Sequence, residues 1–286
     1  IDLTDISLEV RAGEVLGIAG IAGNGQIELM GALSGETGSP MAGSIRILGT
    51  DAIGLNPAAR RSLGAVFVPE ERIGHAAVAD MTLVDNSYLT GDTRMNFSRR
   101  GLIDWPAVTR FAQKVVHDFD VRTTGVYALA SSLSGGNLQK FIVGREMLQS
   151  PGVLVVSQPT WGVDAGAAAD IHRAIRSLAE AGSAILIISQ DLDEILALCD
   201  RVAVISQGTL SRVQPIHDVT PEQSGLLMGF RHDSIANEAT RATTLAPEQS
   251  FSIGSLAISF SGTPDDGHYR DGDLLRHEHR PRGHSL

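Results

Sequence analysis

Three short apolar runs in the second half of the chain restrict the fold more than any other feature: GVLVVS at 152–157, AILIIS at 184–189 and RVAVIS at 201–206. Each is rich in Val and Ile and too short to cross a membrane, which reads as a strand buried on both faces. Helical stretches at about 165–181 and 191–198 separate them. Parallel neighbours need crossovers of this kind, so the alternation predicts a parallel sheet with helices on its faces.

The first half is more mixed. Leu3, Ile6, Leu8 and Val10 alternate as a strand, and Glu14 to Gly20 reads as a short buried strand entering a glycine-rich turn, with a helix from about Gln26 to Leu33. GSIRIL at 43–48 and GAVFV at 64–68 are further strands. From about 75 to 150 the pattern turns helical, with Val108, Phe111, Val115 and Phe119 spaced along one face and a helix start at Asp104 followed by Pro106. The pattern breaks after Phe230. Residues 262–286 hold four of the nine histidines among charged and turn residues without metal-ligand spacing, so 231–286 is expected to be a largely disordered tail. Within it, only FSIGSLAISF at 251–260 reads as a strand.

Composition narrows the function. With 43% hydrophobic residues and 31 glycines in 286, the chain suits a loop-rich α/β globule. A net charge of −10 argues against nucleic acid as a partner. The single cysteine, Cys199, excludes an internal disulfide and lies in an apolar run, where packing is its expected role. No run reaches membrane-span length and the opening IDLTDISLEV is not a signal peptide, so a soluble chain of the cytoplasm is expected. It starts at Ile1 directly on a strand pattern, which predicts a longer natural polypeptide.

Two turns carry the chemistry. The first is Gly20, Ile21, Ala22, Gly23, Asn24, Gly25, Gln26, Ile27, with Glu28 just beyond. It stands between strand and helix, the slot of a phosphate-binding loop GxxxxGK[ST], whose amides and helix N-terminus hold phosphate oxygens. The glycines are kept, but Gln26 replaces the lysine that meets the terminal phosphates and Ile27 the hydroxyl that reaches Mg²⁺. Alone, this turn reads better as an ordinary strand-to-helix turn. The second turn is more specific: Leu133, Ser134, Gly135, Gly136, Asn137, Leu138, Gln139 and Lys140 open a helix running to about Gln149. Ser134 suits the cap, and the two glycines leave bare amides open to an anion.

With this stretch and Val153 to Asp164 (VLVVSQPTWGVD), the chain resembles the ATP-binding cassette family. The family signature LSGGQ is matched at Leu133 to Gly136, and LSGGNxQK is the form of its branch importing simple sugars and nucleosides. The resemblance covers about 1–230 and implies an α/β, P-loop NTPase fold: a parallel-sheet core, an N-terminal antiparallel β-subdomain and a helical subdomain at about 75–150, inserted before the signature motif. It also implies that Leu133, Ser134, Gly135, Gly136, Asn137, Gln139 and Lys140 close on ATP held by a neighbouring cassette, in a head-to-tail sandwich, and that Asp164 belongs to the D-loop. In the Walker B strand Ser157 replaces the aspartate that holds Mg²⁺, and Gln158 the glutamate that polarises the attacking water. An amide cannot serve as general base. Gln190 stands at the switch histidine. QPTWGVD, LIDW at 102–105 and FDVR at 119–122 are more similar to the nucleoside branch than to the sugar branch. FVPEER at 67–72 and MTLVDN at 81–86 resemble the Q-loop region and the surface that receives the membrane subunit; a plain surface loop fits them equally well.

Gln26, Ile27, Ser157, Gln158 and Gln190 are thus replaced together, leaving no intact catalytic residue and no metal ligand. Losing one charge-assisted contact costs about 1.5–3 kcal/mol, so the missing lysine alone weakens nucleotide binding roughly ten- to hundredfold. Glu28 in the first helical turn adds repulsion. The resemblance therefore implies the second, C-terminal cassette of an importer for nucleosides or simple sugars. Such a cassette hydrolyses poorly by itself, with ATP and Mg²⁺ at the site shared with its partner and weak or no nucleotide at its own loop. Its implied partners are another cassette upstream, membrane permease subunits and, indirectly, an extracytoplasmic solute-binding protein. Its implied place is peripheral, on the cytoplasmic face of the inner membrane. Two alternatives remain at this stage: a cassette hydrolysing ATP with unusual residues, and a non-transport cassette acting on ribosomes or DNA. The acidic balance counts against the second.

Overall fold

The computed structural model describes residues 1–37, 43–219 and 255–259. Along the chain, β1 (Ser7–Arg11) and β2 (Val15–Ala19) lead into α1 (Gln26–Ser34), followed by β3 (Ser44–Ile47), β4 (Thr50–Asp51), α2 (Pro57–Leu63) and β5 (Ala65–Val68). A helical block comes next: α3 (Leu83–Met95), a ribbon of β6 (Ser98–Arg99) and β7 (Leu102–Ile103), α4 (Trp105–Asp118) and α5 (Gly135–Met147). After β8 (Val153–Ser157), α6 (Ala165–Glu180), β9 (Ala184–Ser189), α7 (Leu192–Leu198) and β10 (Arg201–Ser206) come the short strands β11 (Thr209–Leu210) and β12 (Gln214–Pro215); β13 (Ser255–Ser259) is the last element described.

The expected parallel sheet is present in the order β10-β2-β9-β8-β5, with β11 and β12 antiparallel to β10. Successive side chains of these strands enter different cores. Leu16, Ile18, Val155, Leu186 and Ile188 pack toward Leu29 and Leu33 of α1, while Val15, Leu154, Val156, Ile185 and Ile187 pack with Leu83, Val108, Phe141 and Ile171 of the other helices. Two buried faces explain why these strands read as continuous apolar runs. Burying each such Val, Leu or Ile contributes about 1.5–3 kcal/mol, so the sheet is a stiff frame for the loops at its edges.

Helix starts follow their caps. Asp104 accepts from the Ala107 amide at 2.9 Å ahead of α4, and Thr82 with Asp85 forms a reciprocal capping box ahead of α3. α4 buries Val108, Phe111, Ala112 and Val115 on one face, as its spacing predicts.

Four features depart from the pattern. Leu3 falls outside β1, because Asp5 takes a left-handed φ of 52° and turns the chain before the strand starts. α2 carries no apolar stripe; its one buried residue is Arg60, whose guanidinium donates to the Ala32 and Leu33 carbonyls at the end of α1. The helical block contains the β6–β7 ribbon, so LIDW supplies a strand as well as a helix start. The lone strand expected at 251–260 lies at 255–259, antiparallel between β1 and β3 in a sheet of order β1-β13-β3-β4. The remainder of the expected tail, 231–254 and 260–286, lies outside the described residues.

Candidate nucleotide loop and signature turn

Ala19 pairs with Ser189 and Ser157 with Ile188, so the Gly20 turn, Gln158 and Gln190 all leave the carboxyl edge of three adjacent parallel strands. This edge is where open α/β sheets take ligands.

In the first turn, Gly25 caps α1 at φ 113° and supplies no side chain. Gln26, buried at 6% exposure, folds back into the loop. Its Oε1 accepts from the Asn24 amide at 3.0 Å and its Nε2 donates to the Ile21 carbonyl at 2.8 Å. A Cβ on Gly20 would lie 2.7 Å from that Nε2, so the glycine makes room for the glutamine. Asn24 ties the loop to the β10–β11 turn, its Oδ1 accepting from the Gln207 amide at 3.0 Å and its carbonyl from Gly208 at 2.9 Å. Ile21, Ala22 and Gly23 are exposed, and Ile27 is 71% exposed in the hydroxyl's place.

At the strand ends, Ser157 and Gln158 are buried and Gln190 is half-buried. Gln158 holds a left-handed φ of 50°, with its amide donating to the Ile188 carbonyl at 2.8 Å. Beside it, the buried Glu194 accepts from Thr160 Oγ1 at 2.6 Å and Ser189 Oγ at 2.7 Å, with His172 Nε2 at 3.3 Å. That carboxylate is committed to neighbours within the fold. Among the described residues no group of three or more His, Cys, Asp or Glu side chains gathers around a metal-sized space. Burial pushes the Cys199 thiol far up, in keeping with a packing role.

The second turn is arranged differently. Ser134 caps α5, its Oγ accepting from Asn137 Nδ2 at 2.9 Å, while Asn137 Oδ1 accepts from the Arg122 amide at 2.8 Å. Ser134 and Gly135 are exposed, Gly136 and Asn137 half-buried, and Leu133 packs against the helical core. Lys140 is drawn inward to the Asp120 carbonyl, so its ammonium braces the helix rather than the surface. Gly136 is needed for a close approach, since a Cβ there would meet the Gly162 carbonyl at 2.9 Å, whereas one on Gly135 would meet only the tip of the Arg72 side chain, Nη1 at 2.9 Å. Asp164 caps α6 through the Ala167 amide at 3.0 Å, and this bond holds its carboxyl below the usual aspartate range. A cleft of about 360 Å³ between α5 and α6 is lined by Ser134, Gly136, Asn137, Gly162, Asp164 and Arg122, among others; no residue of the first turn lines it.

Sequence reasoning singled out neither Arg72 nor the Glu194 network. Arg72 ends the FVPEER stretch, which reads as a whole without a role for the arginine, and Glu194 is one of several acidic residues in a helix start, so neither carries a local signal of its own.

A glycine turn opening a helix at the carboxyl edge of a parallel sheet, flanked by an antiparallel sheet and a helical block, defines a P-loop NTPase of the cassette type. The ABC transporter family model matches residues 3–161. The nucleoside import ATP-binding protein NupA of Lactococcus lactis subsp. cremoris (strain MG1363) is 40% identical over 223 residues, 78% of this chain and 44% of that protein. The guanosine import ATP-binding protein NupO of Bacillus subtilis (strain 168) is 37% identical over 237 residues, 82% of this chain and 46% of that protein. The chain belongs to the ABC transporter family, and it spans about half the length of the curated relatives it matches. Among solved structures, the dimeric ATP-binding cassette MJ0796, in a post-hydrolysis state with ADP and Pi, aligns with a TM-score of 0.65 at 19% identity, covering 75% of this chain and 90% of that one.

Proposed function

We propose that this chain is the second, nucleotide-site-degenerate cassette of an importer for nucleosides or simple sugars. It works at the cytoplasmic face of the membrane with a partner cassette, membrane permease subunits and, through them, a solute-binding protein. The observation that carries this reading is the contrast between the Gln26 amide lodged on the Asn24 amide of its own loop and the exposed Ser134–Gly135 turn. The residues around the first turn do not fit a magnesium nucleotide. Ammonium, hydroxyl, aspartate and glutamate are all replaced, and one loop amide already has its acceptor. Around the second turn they do fit an anion presented from outside, since Ser134 and Gly135, which open α5, are exposed.

In this reading, the partner's loop holds ATP and Mg²⁺ and supplies the hydrolytic groups. Ser134, Gly135 and Gly136 complete that site by donating to the terminal phosphate, and Asp164 keeps the adjoining turn rigid as the cap of α6. One composite site then works per sandwich. The similarity to nucleoside and guanosine import proteins supports the nucleoside branch. The test uses the assembled transporter reconstituted in vesicles. Ser134→Arg places a bulky cation at the surface turn and abolishes ATP-driven uptake, whereas Gln26→Ala keeps uptake within about twofold of wild type. Equal losses in the two variants overturn the assignment.

A further inference from the structure

Arg72 connects three segments that lie far apart in sequence. It sits in the loop after β5, where its own carbonyl accepts from the Ala77 amide at 2.7 Å and so pins the backbone. Its Nε donates to Gln139 Oε1 at 2.9 Å, one turn inside the signature helix α5. Its Nη2 donates to the carbonyl of Trp161, in the turn that leads to Asp164. Gln139 is itself buried and uses its other end on that turn, with Nε2 donating to the carbonyls of Gln158 at 3.1 Å and Pro159 at 3.0 Å. The signature helix and the Asp164 turn are therefore joined twice: directly by the Gln139 amide, and by the Arg72 guanidinium that bridges Gln139 to Trp161.

The chemistry of this tie is specific to arginine. A planar fork meets two acceptors on different segments at once, which a single ammonium cannot do with the same geometry. The guanidinium also lies against the amino end of α5, within 2.9 Å of the site of a Gly135 Cβ. The positive end of the helix repels a cation there, so contacts with its own acceptors have to hold it in place. Gly162, next to Trp161, in turn packs its carbonyl 2.9 Å from the site of a Gly136 Cβ. The Trp161 turn thus lies directly against the signature glycine Gly136.

We infer that Arg72 is a positioning residue of the composite nucleotide site, holding the signature turn and the Asp164 turn in one fixed relation so that both meet the partner's nucleotide together. This rests on the reading that Ser134, Gly135 and Gly136 serve a neighbour's ATP. Arg72 acts through Gln139 and the Trp161 turn, without contact to the nucleotide. Losing the tie weakens capture of ATP by the sandwich and leaves turnover of an already closed sandwich intact.

The experiment measures ATPase kinetics of the assembled transporter. Arg72→Met raises KM for ATP about tenfold while kcat at saturating ATP stays within about twofold, a split that general destabilisation does not produce. Arg72→Lys restores only part of the KM, because one of the two acceptors is left unmet. Gln139→Leu removes the direct link as well as the anchor of Arg72 on α5, so it raises KM at least as much as Arg72→Met, and the double variant is no worse than Gln139→Leu alone. An unchanged KM in both Arg72→Met and Gln139→Leu, a fall in kcat with KM preserved, or additive effects in the double variant overturns the inference. If Arg72→Met does not fold, Arg72→Lys and Gln139→Leu carry the same expectation. Ser134→Arg in the same preparation separates the two claims: activity retained there overturns the signature reading, whereas activity lost there with normal KM in the Arg72 and Gln139 variants overturns only the bracing role.

Discussion

At Gly20–Glu28 the loop satisfies one of its own amides, with Gln26 Oε1 3.0 Å from the Asn24 nitrogen, whereas at the second turn the cap hydroxyl serves Asn137 and both Ser134 and Gly135 are exposed. Both turns keep their glycines and both open a helix. The difference lies in what the side chains next to the amides do. A lysine in place of Gln26 would extend a charge outward to phosphate; glutamine is short, neutral and both donor and acceptor, so it closes on the loop itself. Here one amide of the loop is taken up while the backbone frame is kept. On the signature side the neighbouring polar groups, Gln139, Lys140 and Arg72, are all engaged with other segments, which leaves the turn itself clear.

The contrast is broken most severely at the filled end. Glu194→Ala leaves the buried Ser189 hydroxyl and Thr160 without their acceptor, and a loss of about 2–4 kcal/mol in urea unfolding is expected. A loss no larger than that of an exposed glutamate would mean that the network does not hold the carboxyl edge of the sheet together. The glycines give the next effect and a direct comparison. Gly136→Ala forces a methyl against the Gly162 carbonyl at 2.9 Å, backbone against backbone, and costs about 1–3 kcal/mol together with ATPase activity of the assembled transporter. Gly23→Ala meets nothing within 4 Å and pays only for its φ of 82°, about 1 kcal/mol, with ATPase activity kept. If the two substitutions cost the same activity, the two turns do not have different roles. The smallest effect is at Asp164. Its folded carboxyl titrates below the ordinary value of 3.8, chiefly through the Ala167 amide. The contribution is therefore fully present above that value and disappears as pH falls through the lower folded value. Unfolding followed between about pH 5 and pH 2 shows a shallower acid limb for Asp164→Asn than for wild type; identical limbs would sink this point.

Much of the frame was legible because the information is local. The runs at 152–157, 184–189 and 201–206 became β8, β9 and β10, and the caps Asp104 and Ser134 start the helices they foretell. α2 escaped because its only buried side chain is an arginine, leaving Asn56 and Pro57 as the sole signals of its start. The strand at 255–259 was visible as a pattern, but its place between β1 and β3 was not, since pairing across so long a stretch depends on the path of the whole chain.

By itself, then, the amino-acid order determined the alternating layers, the family motifs and the presence of Gln26 and Ile27 at the first turn, because periodicity, capping and residue chemistry act over a few positions. Only the tertiary structure decided that Gln26 folds inward, a choice of side-chain rotamer among neighbours, and that Arg72 reaches partners 67 and 89 residues away. Those contacts exist because the sheet brings separate loops to a common edge, and no local pattern encodes which loops will meet there.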